Sequence, residues 1–245
     1  MPEASAVLAE SRTLDFSQHL LNLANEHPCS SHPLFDFLES NELDDRQAAA
    51  LLRNYDAHAS VLRRLLLNAA AIMPEHAVPF VLENVRNEYG NGDYARNHQD
   101  QLRDLAWSCG ISRDDFFACK IQNGVSEFIK AATQFYSPSR NAIAGRRSGA
   151  GMRTAAIVAG AVSATEILAI KEFVYIQKPF ARRGLEHHIW FHHITIEEEH
   201  TDESLSLARC FEESEAGVRG VEFGLTGVLD ANCSLYDGLL AACQI

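Results

Sequence analysis

Residues 154–170 read TAAIVAGAVSATEILAI, and the nature of this stretch decides what kind of protein the chain forms. It is apolar apart from Thr154, Ser163, Thr165 and Glu166, so it is either a membrane span or a helix buried inside a soluble bundle. A span needs about 20 consecutive apolar residues. This run is shorter, rich in Ala and Gly, and carries a carboxylate. It is read here as a core helix. Glu166 then poses a problem, because an unpaired buried carboxylate costs several kcal/mol or takes up a proton. An arginine at a helix seam removes that cost, and so does a bound metal ion.

Working outward, apolar positions recur at helical spacing almost everywhere, and no run alternates as a strand does. Residues 14–26 form one helical pattern. HPCSSHP is a proline-bounded turn, and HPLFDFLESNEL begins a short helix. Asp44 or Asp45 caps a long Ala- and Leu-rich segment that ends before Pro74. A further segment runs to the break at Gly90, and a helix from about Tyr94 to Ser108 ends at Gly110. Ser112 to Asp115 cap a helix reaching Tyr136. SPSRNAIAGRRSGAG is the most loop-like stretch. A helix from about Leu185 to Glu213 and a last one from about Gly217 to Leu240 complete the chain. The expected architecture is an all-α bundle of seven or eight helices, one domain over residues 1–245.

Composition agrees. The chain has 245 residues, 47% of them hydrophobic and 22% charged, enough to bury a sizeable core. A formal net charge of -12 leaves no basic footprint for nucleic acid or an anionic membrane. Six cysteines without a C-x-x-C pair fit reduced thiols. The start has no basic segment followed by an apolar one, so a cytoplasmic address is expected.

The candidate chemistry lies in HITIEEEH, residues 193–200. His193, Glu197 and His200 are spaced i, i+4, i+7, and at about 100° per residue they share an arc of about 60°. Glu198, Glu199 and His192 point elsewhere. Two imidazoles and a carboxylate on one face match what Fe, Mn or Zn binds; the plain alternative is a solvated acidic face. NEYGNGDYARNH, residues 87–98, supplies a second pair. In an unbroken helix Glu88 and His98 would lie about 15 Å apart along the axis. Glycine stops a helix by turning left-handed, and Asp93 offers a cap for a new start. Such a turn brings Glu88 near His98, although an ordinary helix–helix turn uses the same residues. With Glu166, the candidate set is Glu88, His98, Glu166, His193, Glu197 and His200. Three carboxylates and three imidazoles are what two divalent first-row metals need with positions left open, and mixed N/O ligation suits iron.

This pattern resembles the haem-oxygenase-like diiron oxidases and oxygenases, which share the seven-helix haem oxygenase bundle and bind no haem. The resemblance rests on E-x-G-x-G-x5-H at Glu88–His98, the lone core acid Glu166, and H-x3-[DE]-x2-H at His193–His200. HPLFDFLESNELDDRQ also looks like the family's N-terminal helix pair, so the likeness spans about residues 30 to 213. Glu197 departs from it, standing where Asp is frequent. The resemblance implies two Fe(II) ions, or a Mn/Fe pair, with dioxygen as cosubstrate. It also implies oxidation of a small substrate: N-oxygenation of amines or guanidines, oxidative C–C cleavage of amino acids, or decarboxylation of fatty acids. An amino acid or close derivative from specialised metabolism is the expected substrate, with an external electron donor and a homodimer as expected partners.

Rival readings stay distinct. A ferritin-like diiron protein would carry two E-x-x-H motifs, and only Glu197-x-x-His200 is present. A metal-free thiaminase-like or quinone-biosynthesis relative would not need six ligands; Cys109 or Cys119 would be its nominal nucleophile. A true haem oxygenase needs a proximal histidine, for which His27, His32 and His58 are placed. A helical interaction protein leaves the buried Glu166 unexplained. Arg182 and Arg183 are read either as partners of a substrate carboxylate or as charges at a helix end.

Overall fold

The computed structural model describes residues 16–93, 96–137 and 149–245; of residues 149, 150, 193 and 195–199 it describes the backbone alone. Every regular element in them is helical. Helix α1 (residues 16–26) leads through a 3-10 turn, Pro28–Ser31, to α2 (Pro33–Ser40). Then follow α3 (Asp45–Ile72), α4 (Val78–Glu88), α5 (His98–Ser108), α6 (Arg113–Ala118) and α7 (Asn123–Tyr136). The chain continues with α8 (Gly149–Ala181), a 3-10 turn at Ile189–His192, α9 (His193–Arg209) and α10 (Glu215–Cys243).

Local chemistry sets these boundaries. Asp44, not Asp45, caps α3: its Oδ1 accepts from the Gln47 amide at 2.8 Å while Gln47 Oε1 accepts from the Asp44 amide at 3.0 Å. This reciprocal capping box is worth about 1 kcal/mol. Gln47 also donates to the Cys243 carbonyl at 2.7 Å, tying the start of α3 to the end of α10. His27 and His32 cap the elements that follow them, and their Nε2 atoms lie 3.2 Å from Asp230 and Asp237 of α10.

The stretch 154–170 is the middle of α8, and its Ala155, Ala156, Val158, Ala159, Ala161 and Val162 are buried. It packs most extensively on α10. The two backbones nearly touch: a Cβ at Gly160 would fall 1.9 Å from the Val221 carbonyl oxygen, and one at Gly224 1.9 Å from that of Ile157. Among the described residues no helix is long and apolar enough to cross a membrane. All six cysteines are free thiols.

Three expectations change. The helix expected from Ser112 to Tyr136 is two, because the buried Asn54 side chain substitutes for the broken ladder. Its Nδ2 donates to the Lys120 carbonyl at 3.0 Å, and its Oδ1 accepts from the Gln122 amide at 2.8 Å. The last long segment before α10 starts as a helix at His193, not near Leu185; Gly184 at φ +75° and the 3-10 turn occupy the residues between. Helix α5 begins at His98, with Asn97 rather than Asp93 as its cap. Tyr94, Ala95 and most of the expected loop (138–148) lie outside the described residues.

Candidate metal centre

The GNGD break is a run of left-handed residues, Gly90 (φ 84°), Asn91 (φ 55°) and Gly92 (φ 85°). At Gly90 two demands coincide. The conformation disfavours any side chain, and a Cβ would lie 2.3 Å from the Asp93 carbonyl oxygen. The Asn91 amide reaches back to the Arg86 carbonyl at 2.9 Å and closes the end of α4. The outcome is the predicted approach: His98 Nδ1 lies 3.2 Å from Glu88 Oε1.

Helix α5 is held at that position from below. Asp56, buried on α3, accepts from Arg103 Nε at 2.9 Å and from Gln99 Nε2 at 3.1 Å, and lies 3.2 Å from Arg53 Nη1. Gln99 and Arg103 both belong to α5, so one buried carboxylate fixes the helix whose first residue is His98. Arg63 donates to Oδ1 of the α5 cap Asn97 at 2.8 Å and stacks on the Tyr89 ring, 4.8 Å from its centroid.

A second pair forms where α8 meets α9. Glu166 and His200 are both buried, with His200 Nδ1 3.7 Å from Glu166 Oε2. Ser163 Oγ donates to the Ser204 carbonyl at 3.0 Å and Thr201 Oγ1 to the Glu166 carbonyl at 3.3 Å, so the seam is pinned on both sides of the pair. His193 and Glu197 stand on the backbone of the same α9, about two turns and one turn before His200 respectively; their side chains lie outside the described residues. Among the described residues no three metal-ligating side chains converge on one point. The four that are described form two carboxylate–imidazole pairs.

Glu88, His98 and Glu166 border one cavity of about 90 Å³. It extends along α3 and α8 between apolar walls that include Leu62, Phe128 and Ala169. At its other end stands Glu172, a residue that motif reading did not select. Tyr236 OH donates to Glu172 Oε1 at 2.6 Å and Tyr55 OH to Oε2 at 3.0 Å. Burial pushes this carboxyl up to about 7, against the pull of the two hydroxyls. A signal for it existed: Glu166 and Glu172 lie three residues on either side of Ala169, so each is about 60° from it on the helix face. Glu172 falls just past the apolar run and was hidden by its neighbour Lys171, which turns away to cover the Phe35 ring.

His58 also borders the cavity, fully buried, edge-on to Tyr55 with ring centroids 4.4 Å apart. Burial pushes it down to about 4, so it is neutral at neutral pH. Arg182 and Arg183 are structural. Arg182 donates to the carbonyls of Leu38, Glu39 and Asn41, and Arg183 to that of Leu43, which satisfies the orphan acceptors at the end of α2 and beyond. His187 is exposed, and His188 Nδ1 accepts from the Trp190 amide at 3.2 Å. His192 is the N-terminal flank of α9.

The described residues thus form a helical protein whose cavity is bordered by the Glu88–His98 pair and by Glu166, with His200 against Glu166. The chain belongs to the family described as iron-containing redox enzymes, whose family model matches residues 49–231. That stretch includes all six candidate ligands. The chain is therefore an oxidoreductase of an iron-containing family. The fold is similar to two crystal structures of a CADD-like protein of unknown function from Nostoc punctiforme PCC 73102. At 15% identity the TM-scores are 0.73 and 0.69, over 95% of this chain and 99% and 96% of the other. No curated protein matches the chain.

Proposed function

We propose that this protein is a non-haem diiron oxidase or oxygenase that uses dioxygen to oxidise a small amino acid-derived substrate, by N-oxygenation or oxidative C–C cleavage. The observation that carries the reading is the cavity itself. Glu88, His98 and Glu166 border it from three different helices, and His200 sits against Glu166. The donors are imidazole nitrogen and carboxylate oxygen, the set that suits iron, and the family is iron-containing. In this reading Glu88, His98, Glu166 and His200 hold the ions together with His193 and Glu197. Two ferrous ions supply dioxygen activation when bound. The chain's own tasks are to fix the ligand positions through Asp56 and the Gly90 turn, and to keep water out with the apolar walls. A small volume favours a small substrate over a long acyl chain.

The test is anaerobic loading of the full chain with Fe(II), followed by metal analysis and oxygen-consumption measurements. About two irons per chain are expected. Glu166→Ala and His200→Ala should lower that stoichiometry while circular dichroism stays helical, and should abolish dioxygen uptake with substrate. Wild-type iron content in both variants would remove the site. A tight Soret band on addition of haem would replace the reading with a haem one, and no iron at all would favour a metal-free relative.

A further inference from the structure

The cavity has a second polar end that the proposed metal ligands do not use. Glu172 lies six residues beyond Glu166, about 9 Å further along α8 and rotated about 120°. Its hydrogen bonds come from Tyr55 and Tyr236, and among the described residues no cationic side chain pairs with it. Three aromatic rings stand together on this side of the cavity. Tyr55 and Trp190 have centroids 5.5 Å apart, Phe173 and Trp190 5.0 Å, and Tyr55 and Phe173 6.2 Å. All three border the cavity, as does Glu172.

A carboxylate buried among aromatic rings, with no cationic partner among the described residues, is costly, and a well-packed apolar residue would stabilise the fold more. The two hydroxyls occupy one acceptor position on each oxygen, and a carboxylate has about four. Room therefore remains for donors arriving from the cavity. The surrounding π-systems favour a cation over a neutral polar group. We infer that Glu172, with Tyr55, Phe173 and Trp190, is a subsite for a cationic group of the substrate, an alkylammonium or a guanidinium. Resting on the reading of the Glu88–His98–Glu166 end as the oxidising end, this defines the substrate class. The molecule is a small organic cation whose oxidised position lies several bonds from its charged group.

The electrostatics allow such a site to respond to its ligand. Of the titratable groups packed about Glu172, His58 on α3 is neutral down to about pH 4. Tyr236 on α10 is held above its ordinary value, and Cys29 before α2 is pushed up to about 12. Tyr55 donates to the carboxylate, Glu166 is on the far side of Ala169, and Lys171 faces Phe35. Glu172, pushed up to about 7 by burial, changes charge near neutrality, and an arriving cation favours its ionised form.

The experiment is calorimetric titration of the full chain with n-butylamine, n-butanol and butyrate, with and without Fe(II), from pH 6 to 8. The ammonium stays protonated throughout, since amines of this kind titrate near pH ~10. Saturable binding of butylammonium is expected, at least tenfold tighter than butanol or butyrate and tightening from pH 6 to 8. Glu172→Gln should weaken it at least tenfold. Equal binding of butylamine and butanol, no binding of either, or an unchanged Glu172→Gln variant each overturns the proposal. If that variant does not fold, the probe comparison and the pH profile in the wild type decide alone. Loss of the diiron reading shows separately, as absent iron with the butylammonium preference intact.

Discussion

Glu172→Gln tests the electrostatics of the cavity through folding stability, independently of any ligand. Burial moves Glu172 from its ordinary 4.5 to about 7 and His58 from 6.5 to about 4. Between pH 4.5 and 7 the folded carboxyl holds a proton that the unfolded chain has released, so stability falls as pH rises through that window. At roughly 1.4 kcal/mol per tenfold change in proton affinity, the fall is about 3 kcal/mol. For His58 the sign reverses. Between pH 4 and 6.5 the unfolded chain binds a proton that the buried imidazole refuses, so stability rises with pH, again by about 3 kcal/mol. In the wild type these slopes oppose one another and nearly cancel from pH 4.5 to 6.5. Gln removes the carboxyl slope and leaves the histidine slope exposed. The variant should lose about 3 kcal/mol relative to the wild type when acidified from pH 6.5 to 4.5. At pH 8 it should be the more stable of the two by about 2 kcal/mol, after roughly 1 kcal/mol for a poorer tyrosine hydrogen bond. Urea unfolding followed by circular dichroism at four pH values, in chelator, measures both. Parallel pH dependences in the two proteins would refute the reasoning.

Two further substitutions probe how the candidate metal centre is positioned. Asp56→Asn leaves Arg103 and Arg53 without their buried carboxylate and should cost about 3 kcal/mol in urea unfolding; iron affinity should fall with it, because α5 carries His98. Gly90→Ala meets both a left-handed backbone and the Asp93 carbonyl. It should destabilise by about 2 kcal/mol and lower iron stoichiometry; an Ala variant with unchanged melting and iron content would show that the turn tolerates a side chain.

Much of this molecule is legible in its residues, for reasons that can be stated locally. The helical period, the Asp44 box and the Gly90 and Gly110 stops depend on neighbours within a few positions. So does the approach of Glu88 to His98, because one short turn links them. The buried character of α8 also follows from its own composition, and with it the burial of Glu166. Other features depend on residues far apart in sequence. The split between α6 and α7 follows from Asn54, more than 60 residues earlier, supplying hydrogen bonds the helix would otherwise make for itself. Arg182 and Arg183, ambiguous in the sequence, became ties to the end of α2 and to the segment joining it to α3 only when the fold brought them together. In the sequence Glu172, a glutamate beside a lysine at the end of an apolar run, has the pattern of a solvated helix end. Its meaning comes from Tyr55 and Tyr236, 117 and 64 residues away. Spacing along one helix determined which side chains share a face; only the packing of α3, α8 and α10 decided which of those faces meets water and which encloses a cavity, since burial is a property of neighbours that the chain meets on folding.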